Sequence, residues 1–422
     1  MDRQPPSDSR DHASSGAVAP PPPAGGRTVT AVLVLVLVSL TQWLSVLSVF
    51  GPRLQEHFSI TNRQLGTLYG CGTLGALLVL PLVGLIVERL GIWRVLQLSA
   101  FGVGTALMSC GIVRSLVLFE LSLVAAGASG GVLSVTATSL LVGLYPSRKR
   151  RVLSISLAVY SVPGIVLPLL AQYLVSLAAP GDRQAFALVF HGSCAAAGLL
   201  MLAGVLVFTT AGCSLAPHDT DARPALTLRM LWLWPTPLII LLAGLHGASD
   251  QVLYQWLPRF MTGTFDVLPV PPGLALSLAA CAYVLGRGWQ ATLPEGAGQR
   301  AFLALSGPLG GLLILAGLWK GTALQVGLVY PLAALLWCLE YPALVSEIEF
   351  LSAGYFSTVL AAASLAQYAL GVSGTNAAGW IADRTGSLQW ALTPAALGFV
   401  LFGVAAALAG MGRRPRLGRP SS

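Results

Sequence analysis

One apolar stretch of this sequence carries three side chains at helical spacing whose types could do chemistry. It reads Gly244-Leu-His246-Gly247-Ala-Ser-Asp250-Gln251-Val-Leu-Tyr254-Gln255-Trp256. His246, Asp250 and Tyr254 stand at i, i+4 and i+8, so on an α-helix they share an arc of roughly 80°. An imidazole, a carboxylate and a phenol in one row can bind a polar solute, hold a counter-charge or pass a proton. The same row can instead tie helices together through hydrogen bonds. Either way it faces protein and not lipid, because an ionisable group at mid-bilayer costs roughly 2.5–3.5 kcal/mol on the insertion scale. Gly244 and Gly247 beside the row are expected to loosen the helix.

Other runs add candidates. Tyr330, Trp337 and Tyr341 share about 40° of helical arc, as a cavity floor or, the favoured reading, as helix packing. Glu340 lies next to them. A carboxylate that deep can exchange protons, or it can pair with an arginine such as Arg287, and the pairing is preferred. Gln42 sits beside the hydroxyl face Thr41, Ser45, Ser48, and Tyr160 precedes Pro163-Gly164. Gln367 and Tyr368 offer polar atoms from a late run, and with Gln251 these residues are the candidate solute contacts. Asp250 and Glu340 are the candidate proton carriers. His191 and Glu120 read as interfacial.

The elements that must position these groups are set by composition. Hydrophobic residues are 55% of the 422 and charged residues 9%, against roughly 25% charged in soluble domains. That excludes an ordinary water-soluble enzyme. The net charge of +8 would suggest nucleic acid in a soluble chain; here it is a topological signal, and no nucleic-acid partner is expected. The six cysteines show no paired spacing, so neither a disulfide framework nor a metal site is indicated. Lysine is almost absent beside arginine, pointing to a GC-rich genome and a bacterial inner membrane.

Residues 1–27 read as a disordered tail. Twelve apolar runs follow, each near the roughly 20 residues a bilayer core requires: 28–50, 64–86, 93–112, 116–143, 152–177, 185–209, 231–258, 268–289, 301–318, 322–345, 352–378 and 388–410. The boundaries define an N-terminal six-helix bundle (28–210), a linker (211–229), a C-terminal bundle (230–410) and a basic tail (411–422). With both termini cytoplasmic, only Arg53, Arg63, Arg114, Arg183, Arg259, Lys320 and Arg384 of the 24 Lys and Arg fall outside. That asymmetry supports the topology, with Arg148–Arg151 as an inner anchor that attracts anionic lipid.

Between the second and third runs lies Gly84-Leu-Ile-Val-Glu88-Arg89-Leu-Gly91-Ile-Trp93-Arg94. It resembles the loop of major facilitator superfamily transporters written Gly-x-Leu-Ala-Asp-Arg-x-Gly-Arg-Arg. Gly84, Arg89 and Gly91 match, Glu88 replaces Asp, and Ile92 and Trp93 occupy the basic positions, with Arg94 one residue late. Gly379-Trp-Ile-Ala-Asp383-Arg384-Thr-Gly386 is similar to the family's sequence at the end of the eleventh helix. Trp256-Leu-Pro258 is similar to the end of its seventh. The resemblance covers residues 28–410. It implies an all-α membrane protein of twelve transmembrane helices in two pseudo-symmetric six-helix bundles, with a midplane cavity lined by the first, fourth, seventh and tenth helices.

The resemblance also gives Gly84, Glu88, Arg89 and Gly91, with Asp383 and Arg384, the role of gates. For Arg89 the plainer reading is obedience to the positive-inside bias. At Gly127 the arginine that often stands four residues earlier in proton-coupled exporters is Leu123, and Pro163-Gly164 inverts the antiporter pattern. No glycine-rich phosphate cradle and no Asp-x-x-x-Asp pair appears, so neither ATP-driven pumping nor a membrane transferase is indicated, and no cofactor is implied. The expectation is a monomeric transporter of a small organic solute working by alternating access, with proton coupling left open. The alternative is a transporter-shaped sensor or scaffold that binds without flux.

Overall fold

The computed structural model describes residues 24–145, 155–156, 158–179, 181–210, 231–232, 234–294, 298–351 and 356–412. The chain up to residue 23, the Arg148–Arg151 cluster, the 211–229 linker and the arginines from 413 onward lie outside the described residues. Helix begins at Ala24, four residues inside the segment expected to be a tail.

The described residues form twelve helical rods. They are α1 (Thr28–Phe58), α2 (Asn62–Leu90), α3 (Ile92–Ile112), α4 (Leu116–Leu141), α5 (Ala158–Ser176) and α6 (Arg183–Thr210). The second set is α7 (Thr236–Thr264), α8 (Pro272–Thr292), α9 (Gln299–Lys320), α10 (Ala323–Ile348), α11 (Phe356–Thr385) and α12 (Leu388–Leu408). Ten are long and apolar enough to cross a membrane. The two that fall short, α8 and α11, carry the polar side chains that the bundle interior has to accommodate. Leu98, Phe101, Val117, Leu121, Leu188, Leu199 and Leu206 are exposed, a surface suited to acyl chains and costly in water. The chain is a multi-pass membrane protein.

Contacts repeat with a period of six helices. In the first set α2 packs on α4, α3 on α4 and α3 on α6; in the second α8 packs on α10, α9 on α10 and α9 on α12. Between the sets the contacts are α1 with α7, α2 with α11 and α5 with α8. Exchanging the two sets turns the last two pairs into one another. Two pseudo-equivalent bundles therefore meet along one seam.

Glycines allow the close approaches that apolar membrane packing relies on. A Cβ at Gly127 would strike the backbone of Gly72, and one at Gly75 the Val124 carbonyl, which brings α2 against α4. Gly244 and Gly247 serve the same end. They lie against Ala366, Leu370 and Gln367 of α11, and α7 stays α-helical past them. The expected loosening is replaced by tight packing.

Five rods are interrupted, four of them near proline; α9 breaks at Leu305, three residues before Pro308. The second rod turns 3-10 over Leu80–Leu82, around Pro81; α5 breaks at Val162, before Pro163; α10 breaks at Cys338–Leu339, before Glu340 and Pro342. Proline supplies no N–H to the carbonyl four residues back and crowds it, so the preceding turn gives way. In α1 the 3-10 stretch Thr41–Val46 coincides with hydroxyls bonding back to their own backbone: Thr41 to Val38, Ser45 to Gln42 and Ser48 to Ser45.

Several ends move outward from the sequence reading. The first rod runs to Phe58 and so holds Arg53 within it; α7 passes Pro258 and ends at Thr264; α11 continues to Thr385, where Gly386 takes φ +67°. Polar residues at a helix end do not stop it when the backbone can still bond within the turn. His191 is packed between helices. It is 2% exposed, and its Nδ1 lies 2.8 Å from the Cys110 carbonyl in α3.

Candidate functional site

α7 turns its predicted row into the protein, with the His246 end packed inside the second bundle. His246 Nδ1 stands 2.7 Å from Glu340 Oε2, with the two side chains 5% and 0% exposed. The break in α10 brings Glu340 there, because it places the carboxylate in the first turn of the segment after Leu339. Tyr341 stacks beside the imidazole at 6.1 Å between ring centres, and Phe399 meets it edge-on at 5.6 Å. The partner of Glu340 is thus a histidine, not an arginine. An imidazole and a carboxylate in hydrogen-bond contact share one proton and can take up another, which makes the pair both a strut and a proton store.

One turn further, Asp250 accepts a hydrogen bond of 2.5 Å from Tyr283 in α8, and Tyr283 Oη accepts one of 2.7 Å from Trp337 Nε1. Trp337 also stacks flat on Phe399 at 4.3 Å. Tyr330 touches Trp337 edge-on and is 1% exposed. The aromatic stripe of α10 is therefore mostly packing, with a single indole N–H reaching into the polar seam. Arg287 folds back over Tyr283, its Cζ 4.6 Å from the ring centre, and its Nη1 donates to Ser161 Oγ of α5 at 3.1 Å. It belongs to α8, within the apolar run read at 268–289.

The N-terminal bundle answers from across the seam. Tyr254 is within hydrogen-bonding reach of Ser45, and Tyr160 of Gln42. Gln251 Nε2 donates to Thr73 Oγ1 at 2.5 Å and Gln255 Nε2 to the Tyr69 carbonyl at 3.4 Å. Gln367 lies against Gly247, and Tyr368 is close enough to act electrostatically on Tyr160 and Tyr341. Gln251 and Tyr254 thus reach across the seam, with Gln42 and Tyr160 on its far side, whereas His246, Tyr330, Trp337 and Gln367 pack within the second bundle. Tyr283, Thr73 and Ser161 were missed, and Arg287 was named only as a candidate partner of Glu340. Tyr283 and Arg287 at i, i+4 in an otherwise apolar run repeat the signal that singled out α7.

The gate residues divide between the two ends of α2, about 40 Å apart for 29 residues. At the Asn62 end Asp383 of α11 accepts from Asn62 N (3.1 Å), Asn62 Nδ2 (2.9 Å) and Arg63 N (2.8 Å). A carboxylate here occupies the favourable position for a helix N-terminus while tying one bundle to the other. Thr67 adds a bond to Asn376 (2.8 Å), and Arg259 one to Gln55 (2.7 Å). Arg384 instead lies over Trp380. At the far end Val83–Leu90, with Glu88 and Arg89, packs on α3 and α4 of its own bundle. Gly84 and Gly91 there face open space, and Gly91 takes φ +79°, the region glycine tolerates.

Asp383→Ala is expected to loosen the Asn62 end by about 1 kcal/mol, the typical value of a lost cap. Its check is a modest fall in melting temperature together with faster labelling of a cysteine placed at Gln55; unchanged labelling would remove the clamp.

No family model and no curated protein matches this sequence. Solved structures do. The chain is similar to a bacterial homolog of the human lysosomal transporter Spinster in an inward-facing, occupied conformation, with TM-score 0.71 at 14% identity over 92% of this chain and 97% of that one. It is similar to the major facilitator superfamily transporter FucP in the outward conformation, with TM-score 0.64 at 16% identity over 91% and 99%. A further similar structure is the E. coli fucose:proton symporter FucP, at TM-score 0.64 and 15% identity over 90% and 98%. At these identities the likeness is one of fold. This chain has the twelve-helix fold of major facilitator superfamily transporters.

Proposed function

We propose that this chain is a secondary transporter that carries a small organic solute across a membrane by alternating access, without catalysing a reaction. The observation that carries the reading is the polar row of α7: it holds a buried His246–Glu340 pair and a half-buried Asp250–Tyr283 pair inside the second bundle, while its Gln251 bonds across the seam to Thr73. Buried ionisable pairs in a membrane domain are costly, and a solute or proton path is the usual reason for them.

The cross-bundle clamp supports alternation: Asp383 of one bundle holds Asn62 and Arg63 of the other at one end of the seam, a contact that rocking would have to break. With both termini cytoplasmic the clamped end is the outer one, and Glu88 and Arg89 belong to an inner gate that closes when the bundles rock. In this reading the bundles are 28–210 and 230–410, joined by 211–229, and the protein works as a monomer in a bacterial inner membrane. Asp250 and Glu340 are the proton carriers, and His246, Tyr254, Gln251, Gln42, Tyr160, Gln367 and Tyr368 surround the solute.

Purified protein in proteoliposomes is expected to take up solute faster when a proton gradient is imposed. Asp250→Asn is expected to abolish that dependence. Binding without flux under every gradient would replace transport with a sensing role. Asp250→Asn that leaves the pH profile unmoved would remove Asp250 from coupling.

A further inference from the structure

Arg287 is the charged group of the seam that the proposed proton path does not use. An arginine five residues from a helix end ordinarily extends its stem outward and keeps its head in water. This one does the opposite. Its guanidinium turns inward over Tyr283 and reaches across the seam to Ser161. Its Nε is fully buried and has no hydrogen-bond partner, and among the described residues it forms no ion pair.

A buried charged donor left unmatched is costly, and native structures rarely keep one without a use. The planar fork of a guanidinium matches the two oxygens of a carboxylate or phosphate, and it does so wherever other cations would stay hydrated. The surroundings suit the rest of such a molecule. The charge of Arg287 reaches Tyr160, Asp250 and Tyr341, so three phenol rings, counting Tyr283, and one carboxylate stand around it. Arg287 as a residue is only half-buried.

We propose that Arg287 anchors an anionic end, carboxylate or phosphate, of the transported solute, whose apolar or aromatic body rests on Tyr160, Tyr283 and Tyr341. The inference rests on the transporter reading and narrows its substrate class to organic anions and zwitterions with an exposed acidic group. Ser161, held to the same guanidinium from α5, makes the anchor span both bundles, so that solute bound there bears on how they sit.

The test uses purified full-length protein and probes that share a body and differ in charge: benzoate, phenyl phosphate, benzamide and benzylamine, with hexanoate, hexanamide and hexylamine as an aliphatic set. Thermal stabilisation is expected from the acids and not from the matched amides or amines. Arg287→Gln is expected to weaken binding of the acids at least tenfold. Arg287→Lys, which keeps the charge and loses the fork, should recover part of it. The melting temperature of each ligand-free variant reports folding separately. Stabilisation by amines or amides alone, by no acid in either set, or equally in Arg287→Gln overturns the anchor. If amines bind through the seam and are transported, the anchor fails and the transporter stands. If acids bind through Arg287 and no flux follows, the anchor stands and the transporter fails.

Discussion

Replacing Glu340 by alanine is expected to cost about 3–5 kcal/mol of stability, the usual consequence of removing one partner of a buried polar pair. Glu340 is fully buried, and its Oε2 is matched to His246 at 2.7 Å. Truncation leaves the imidazole without that partner among Tyr341, Phe399 and Phe402, and it opens a void beside Gly307. Glu340→Gln behaves differently. The amide keeps the shape and a hydrogen bond to whichever tautomer His246 adopts, but it cannot take up or release a proton. Glu340→Ala should therefore fall sharply in melting temperature and yield. Glu340→Gln should fold near the parent and lose the response of uptake to a proton gradient. If Glu340→Gln folds and retains that response, the pair is a strut only; if Glu340→Ala melts like the parent, the pair is not even that.

The two variants separate what a sequence can and cannot disclose here. The row His246, Asp250, Tyr254 was legible because it lies on one helix, where spacing fixes direction. The partner of Glu340 was not. Arg287 and His246 were both available, and the choice depends on how far the break before Pro342 rotates the second half of α10, a tertiary matter. The inward turn of Arg287 was hidden for a related reason: an arginine near the end of an apolar run looks the same whether its stem points to water or to Tyr283. Ten of the twelve rods are apolar enough to follow from length and composition, and for α8 and α11 the alternation of Lys and Arg adds the support that hydropathy lacks. The ends of the rods did not follow, since Asp383 and Pro258 look like loop residues, yet each sits within a helix that continues past it. The pairing of α2 with α11 and α5 with α8 is invisible to spacing. It rests on glycines at Gly66, Gly273 and Gly379, which in sequence look like any other membrane glycine.

Those glycines give the sharpest test of alternation. Gly66 of α2 lies against the backbone of α11: a Cβ there would come within 2.5 Å of the Thr375 carbonyl and 3.3 Å of the Trp256 ring. A carbonyl cannot change rotamer, so a leucine at 66 has to push the bundles apart at the Asn62 end. Overpacking of this kind costs about 1–3 kcal/mol, equivalent to roughly a 5- to 150-fold shift from closed to open at that end. Gly84, near the other end of the same helix, meets nothing within 4 Å. Leucine there is free of strain in the present arrangement and becomes a wedge only when the inner end closes. The two substitutions should therefore act in opposite directions on one readout, the labelling by a membrane-impermeant maleimide of a cysteine at position 255 in a background without native cysteines. Gly66→Leu should raise labelling from the side of Asn62 and stop transport, and Gly84→Leu should lower it. A fixed scaffold has no second arrangement for Gly84→Leu to oppose, so labelling that Gly84→Leu leaves untouched, in protein that folds, would speak against a seam that opens alternately at its two ends.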